Sequence, residues 1–436
     1  TVITAPFLFE ELWRLCGRRL EDDVELRQVD PFYRIRFDHG ESFHYNGDRT
    51  RMIEEIRRFS PQDVTGYRDF LAFSEQIFNV GFSRLAHKSF SHWWDMAKIV
   101  PEMVRLRSHK TVYQLVGSFI KDERLRQVFS FHPLLVGGNP FTTTSIYTLI
   151  AHLESKWGVW FPMGGTGSLV NGMVKLLADR GVDIEYNTGA TEIETRNRCV
   201  QGVRLSNGRF VSADIVVSNA DSASTYLNLV DARVRKKWTD SRIARSKYSM
   251  SLFVWYFGTN KTYDDVDHHT ILLGKRYKAL LSDIFDRKHL AGDFSLYLHR
   301  PTKTDPSLAP NGCDSFYVLS PVPHLDSHTH WQSEAEKYRK KIARYLSETV
   351  LPGLEDHLTC SEMLTPQDFE DRLSSYKGAA FGIEPTLFQS AYFRPHNRSE
   401  DVNGLYLVGA GTHPGAGVPG VLSSARVLDQ IVPDPR

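Results

Sequence analysis

The sequence predicts an α/β protein of mixed α/β and α+β character, in which two domains interleave, and three observations predict it. Residues 158–220 run strand, glycine turn, helix and several strands; residues 245–325 carry four extended apolar stretches; and from residue 404 a strand, a Gly/Pro turn and a helix return. The first and third patterns belong to one α/β domain, the second to another. The division expected is 1–60, 158–240 and 396–436 for the first domain, 61–157 for a helical region, and 241–395 for a domain built on a mixed sheet plus helices. A length of 436 residues suits such a division. With 41% hydrophobic and 24% charged residues the chain is neither disordered nor polytopic, and no run reaches the ~18 apolar residues of a spanning helix. The 53 Lys+Arg balance 52 Asp+Glu, a net charge of +1 that argues against a nucleic-acid partner. Cys16, Cys199, Cys313 and Cys360 stand far apart with no CxxC pair, which points to a reducing, cytoplasmic setting.

Taken in order, EELWRLCGRRL, RMIEEIRRF, GYRDFLAFSEQIFNVGF and WWDMAKIVPEMVRL repeat apolar residues at three- and four-residue spacings and read as helices. FYRIRF at 32–37, the turn Asp38-His39-Gly40 and SFHYN read as a strand pair. GVWFPM leads into Gly164-Gly165-Thr166-Gly167, after which SLVNGMVKLLADR is a helix ended by Gly181. VDIEYN, ATEIET, VQGVRL, RFVSA and DIVVSNA read as strands, with Asn207-Gly208 as a hairpin signal. SMSLFVWYFG, HTILLG, DFSLYLHRP and SFYVLSPVP form a mixed or antiparallel sheet distinct from those strands. Helices follow around 333–349 and 367–376, then GLYLVGAG as a strand and a terminal helix from Val421.

Gly415-Ala416-Gly417-Val418-Pro419-Gly420 has GxGxxG spacing, follows a strand and opens a helix. As a nucleotide fingerprint it is incomplete, because no second strand follows and no acid stands ~20 positions on to hold a ribose. Two readings remain: a tight strand-to-helix turn, or a close-approach surface whose helix N-terminus offers unpaired N–H groups to an electron-rich edge such as the pyrimidine side of a flavin.

The stretch GLYLVGAGTHPGAGVPGV at 404–421 resembles the C-terminal flavin motif of the bacterial-type phytoene desaturases, carotenoid enzymes of the flavin amine-oxidase-like superfamily. PFYRIRF, RLRQVFSFHPLLVGGNPFTTTSIYTLI at 124–150, WGVWFPMGGTGSLVNGMVKL at 157–176, VSNAD at 217–221, DFSLYLHRPTKTDPSLAPNGCDSFYVLSPVPHL at 293–325 and EPTLFQSAYFRPHNR at 384–398 resemble the same family in the same order. The resemblance implies a Rossmann-like FAD-binding domain, a discontinuous substrate domain, and introduction of double bonds into phytoene toward lycopene. A related carotenoid desaturase or isomerase acting on another polyene, and a non-catalytic carotenoid-binding fragment, are the competing readings. Cofactor contacts are implied at Ala190, whose backbone would face the adenine, and at Gly409, Ala410, Gly411, Thr412, Gly417, Pro419, Gly420 and Val421. Ala410 stands where many members of the superfamily carry an acid, so polar contact there falls to backbone N–H groups. Thr1-Val2-Ile3-Thr4 opens just after the point at which the family places its strand, GxGxxG turn and acidic strand end. The ADP half of FAD is therefore expected to be held by a preceding unit of roughly fifty residues.

Phytoene has no charge and no hydrogen-bonding group, so its recognition rests on apolar area, at ~25 cal/mol per Å², and on shape. Alternate positions among Phe253, Trp255, Tyr256, Phe257, Phe294, Leu296, Tyr297, Phe316 and Tyr317 are expected to face it. The chemistry implied is hydride loss from an allylic carbon to the flavin and proton loss from its neighbour. Glu384 and Arg394 are candidate catalytic residues whose default reading is a buried ion pair; Asp95 is a further acid/base candidate. His268 and His269, adjacent on a strand, are expected on opposite faces, and no metal is expected. Segment 84–126 carries nine Lys/Arg against four Asp/Glu, interleaved with Trp93, Trp94, Met96, Ile99, Val100 and Met103. It reads either as a peripheral docking face for a membrane lipid surface or as a cap over the substrate domain.

Overall fold

A computed structural model describes residues 2–433. In chain order its strands are β1 (Leu26–Gln28), β2 (Tyr33–Arg36), β3 (Ser42–Tyr45), β4 (Trp160–Pro162), β5 (Ala190–Arg196), β6 (Cys199–Leu205), β7 (Phe210–Ser212), β8 (Val216–Ser218), β9 (Ser251–Thr259), β10 (His269–Leu272), β11 (Leu296–His299), β12 (Asp314–Val322), β13 (Leu358–Leu364) and β14 (Leu405–Leu407). The largest sheet has the order β13-β9-β12-β11-β10-β2-β3 and is antiparallel except where β10 runs parallel to β2, with Ile271 opposite Ile35. Three smaller sheets pair β1 with β4, β5 with β6 and β7, and β8 in parallel with β14.

Period-two alternation divides the large sheet into two chemically different faces. Phe253, Trp255, Phe257, Phe316 and Val318 pack beneath the helix Trp331–Thr349. Leu252, Tyr317, Leu319 and Pro321 point the other way, toward an internal cavity. Four helices of the N-terminal half close that side or pack behind it: α1 (Pro6–Leu15), α2 (Arg49–Phe59), α3 (Asp63–Val80) and α4 (Trp93–Arg105). Asp48 starts α2 by accepting the Arg51 N–H, and Met52, Ile56 and Phe59 form its buried face.

Several expectations are corrected. Residues 33–45, expected with the 1–60 part of the first domain, supply two strands of the large sheet, which shares none with β5–β8, as expected. β13 was not expected; it is an edge strand whose residues are mostly exposed, so it lacks the apolar alternation that marks a strand. VDIEYN at 182–187 is in no strand, since no neighbour among the described residues pairs with it. The C-terminal helix, Val418–Ile431, starts three residues before Val421 because Pro419 is accommodated in its first turn, where no N–H partner is needed.

Candidate functional site

The turn between β14 and the C-terminal helix is built from close backbone approaches. Gly409 has φ +95°, and a Cβ there would lie 2.5 Å from Asn219 Oδ1. Its N–H donates to Ser424 Oγ at 2.9 Å. A Cβ on Gly411 would lie 2.4 Å from Ser222 Oγ, and one on Gly420 would lie 2.6 Å from the Gly415 carbonyl oxygen. Asn397 Nδ2 donates to Leu407 O, Thr412 Oγ1 and His413 O at 3.3, 3.2 and 3.1 Å. Arg394, 1% exposed, donates from Nη2 to Ile383 O at 2.7 Å and Ala410 O at 3.1 Å, and from Nη1 to Gln389 O at 3.3 Å. Burial pushes its guanidinium below its ordinary value. Gly417, φ +92°, precedes the C-terminal helix, which has no side-chain cap. The first-turn N–H groups are thus presented without a side-chain acceptor, at a place where only glycines let the backbone close up.

Gly417, Val418, Pro419 and Gly420 form one end of a cavity of about 560 Å³. Its walls are Leu252, Ile271, Leu296, Tyr297, Tyr317 and Leu319 of the large sheet, Leu134, Leu135, Ile146 and Tyr147 of the middle segment, and Met96, Ile99 and Met103 of α4. None of its described lining residues is Asp, Glu, Lys or Arg. His413 also lines it. Its Nε2 lies 3.0 Å from the Leu85 carbonyl, which can only accept, so Nε2 carries the hydrogen and Nδ1 is left buried with no partner among the described residues. Burial pushes this imidazole down to about 4. Such a chamber suits a neutral, apolar ligand and repels a charged one.

The structure separates most of the expected catalytic set. Glu384 and Arg394 form no ion pair: Glu384 accepts from Thr142 Oγ1 at 2.9 Å, and burial raises its carboxyl above the ordinary range, while Arg394 is spent on main-chain carbonyls. Asp95 accepts the His92 N–H at 3.2 Å, closing the N-terminus of α4, and does not line the cavity. Ala190 is exposed at the start of β5, away from the cavity lining. Gly164 and Gly165 make a positive-φ turn with Gly164 N–H donating to Asp305 at 2.6 Å, also outside it. Of the turn residues, Gly417, Pro419 and Gly420 line the cavity; Gly409, Ala410, Gly411 and Thr412 support it from behind, and Val421 N–H bonds back to Gly417 O. His268 and His269, expected apart, converge with His299, because His268 precedes β10 and escapes strand alternation. Asn397, Ser424, Tyr147 and His413 were missed; as single polar residues with ordinary neighbours they carry no local signal.

Helix α4 caps the cavity with one face and leaves the other exposed. Met96, Ile99 and Met103 cap the cavity, while Trp93, Trp94, Val100 and Val104 are 53, 60, 48 and 62% exposed. Part of the positive surplus is paired: Arg84 and Arg105 meet Glu102, and Arg124 meets Asp122 and Glu41. No helix of the described residues is long and apolar enough to cross a membrane.

No family model matches the chain. It is 51% identical over 433 residues to the phytoene desaturase (lycopene-forming) of Pseudescherichia vulneris, covering 99% of this chain and 88% of that protein. It is 45% identical over 440 residues to the phytoene desaturase (neurosporene-forming) of Rhodobacter capsulatus, covering 100% and 84%. Among solved structures, an oxidoreductase from Methanosarcina mazei aligns at TM-score 0.56 with 15% identity, covering 94% of this chain and 82% of that one. A putrescine oxidase variant redesigned in cofactor binding aligns at TM-score 0.61 with 10% identity, covering 98% and 85%. These two are likenesses of fold.

Proposed function

This chain belongs to the phytoene desaturase family, and on that premise we propose that it removes hydrogen from phytoene, toward lycopene, with FAD as the acceptor. The observation that carries the reading is the uncharged cavity that joins the glycine turn to α4. A long hydrocarbon offers nothing but apolar area and shape, and this lining offers the same in return.

The residues present fit the isoalloxazine end of the cofactor. The uncapped helix N-terminus at 417–420 borders the cavity and supplies N–H groups for an electron-rich edge, and Gly409, Gly411 and Gly420 let the chain close tightly behind it, since a Cβ there would meet Asn219, Ser222 and Gly415. FAD, when bound, supplies the hydride acceptor. Arg394 positions the turn through the Ala410 carbonyl, and the apolar walls exclude water from the reacting carbons. With no carboxylate in the described lining, we assign the proton lost from the neighbouring carbon to Nδ1 of His413, unprotonated at neutral pH and without a partner of its own. Entry of the substrate is assigned to the α4 side, whose exposed tryptophans would rest on the lipid surface in which phytoene dissolves.

The test supplies FAD and liposome-borne phytoene to the purified protein and to its His413→Gln variant. The parent is expected to yield lycopene, with His413→Gln matching its flavin content but losing desaturation by about 10²–10⁴-fold. A flavin-loaded protein that leaves phytoene untouched while converting another polyene would move the substrate assignment. Full activity in His413→Gln would remove that residue from the chemistry.

A further inference from the structure

We infer that His268, His269 and His299 form a binding site for one divalent transition-metal ion of borderline softness, the class of Zn²⁺, Co²⁺ and Fe²⁺. His269 on β10 stands opposite His299 on β11 in register, and His268 folds in from the bend before β10. One ring nitrogen from each lies within 4.8 Å of the other two. The three side chains are sealed from water, their residues being 2, 0 and 3% exposed.

Hydrogen bonding has already oriented two of the rings. His268 Nδ1 lies 2.6 Å from Thr304 Oγ1, and His269 Nδ1 lies 2.6 Å from the Tyr297 hydroxyl. Each then keeps a buried Nε2 with no hydrogen-bond partner among the described residues. Buried polar atoms are nearly always satisfied, so two orphans in one cluster call for an occupant. One nitrogen pinned by an outer partner and the other left bare is the arrangement of a metal-ligating histidine. Metal–nitrogen bonds of about 2.0–2.1 Å set ligand atoms about 3.4 Å apart in a tetrahedral site, so the 4.8 Å spacing must draw in by roughly 1.4 Å, within reach of side-chain rotation. Three imidazoles leave a fourth position for water or hydroxide, and imidazole ligands select the zinc and iron class over Mg²⁺ or Ca²⁺. Bound there, the ion would tie β10 to β11 on the wall that presents Tyr297 to the cavity.

Chelator-stripped protein titrated with Co²⁺ alone is expected to develop visible ligand-field absorption that saturates at about one ion per chain and is displaced by Zn²⁺. His269→Ala and His299→Ala should abolish that absorption, and Tyr297→Phe should weaken binding about 10–100-fold by removing the outer partner. Should the alanine variants fail to fold, X-ray absorption on the Co²⁺-loaded parent decides, three imidazole nitrogens being the expected count. The site is overturned if the folded parent shows no such absorption at millimolar Co²⁺, if fewer imidazoles are counted, or if folded His→Ala variants keep the parent's affinity.

Discussion

At Gly420 a single added carbon decides whether the turn closes. Its φ lies outside the left-handed region, so the constraint is purely steric: a Cβ would sit 2.6 Å from the Gly415 oxygen and 3.2 Å from its carbonyl carbon. Gly420→Ala must therefore shift the turn, at the ~1–3 kcal/mol typical of overpacking. The expected outcome is flavin content reduced at least about tenfold, the affinity equivalent of ~1.4 kcal/mol. Gly167 is the control, because a Cβ there meets nothing within 4 Å; Gly167→Ala should stabilise by about 0.4–1 kcal/mol and leave flavin content alone. Equal flavin content in the two variants, read from absorbance against protein concentration, would reduce the Gly415–Gly420 turn to chain geometry. Arg394 shows the limit of reading residues singly. A buried Arg beside a buried Glu in one sequence block reads as an ion pair, yet its two Nη groups donate to the carbonyls of Ile383, Gln389 and Ala410, none of which carries a sequence signature.

Among the elements, α4 has the most to reveal, since one face caps the cavity and the other lies open. Burying even part of a Trp side chain in lipid contributes on the order of 1–3 kcal/mol. Trp93→Ala with Trp94→Ala should accordingly lower the partition onto anionic liposomes at least about tenfold, with no dependence on salt. Arg84 and Arg105 are held by Glu102, so the contribution of charge is tested at Lys88 and Lys98. Lys88→Glu with Lys98→Glu should weaken sedimentation at low ionic strength and lose its effect near 0.5–1 M salt, where the Debye length is down to about 3–4 Å. Unchanged sedimentation of both double variants would leave α4 as a lid alone and put the entrance elsewhere.

Across the whole molecule, the interior holds an unusual number of neutral imidazoles. Burial pushes His268 to about 3 and His324 and His413 to about 4, and lowers His152, His269, His299 and His396 as well. The unfolded chain protonates these groups near 6.5 while the folded one cannot, so below that pH the unfolded state binds more protons. Stability is thus complete above about pH 6.5 and falls as pH drops, by up to ~1.4 kcal/mol per pH unit for each group. Glu384 and Asp221, whose carboxyls burial raises, act in the opposite sense, but they are two against seven. The urea midpoint should fall steadily from pH 7 to pH 5, and His324→Gln should reduce the slope by about one proton. A flat midpoint over that range would mean that the imidazoles charge in place within the folded protein.

What could be read from residue order is what is local. The Asn207-Gly208 hairpin, the alternation along β12, the helix α2 and the glycine turn at 415–420 each depend on a short window of side-chain periodicity or turn chemistry, and each stands where it was expected. The resemblance also rests on contiguous blocks, so the family was legible too. Tertiary structure decided the rest. β2 joins the large sheet by parallel pairing with β10, a strand more than two hundred residues later in the chain, and no local pattern encodes that partner. The convergence of His268 and His269 with His299, the parting of Glu384 from Arg394, and the two faces of α4 were likewise settled only by packing. The reason is physical: periodicity says which side of an element is apolar, whereas the neighbour that covers that side is chosen by long-range burial and hydrogen-bond satisfaction, which belong to the folded chain and to no segment of it.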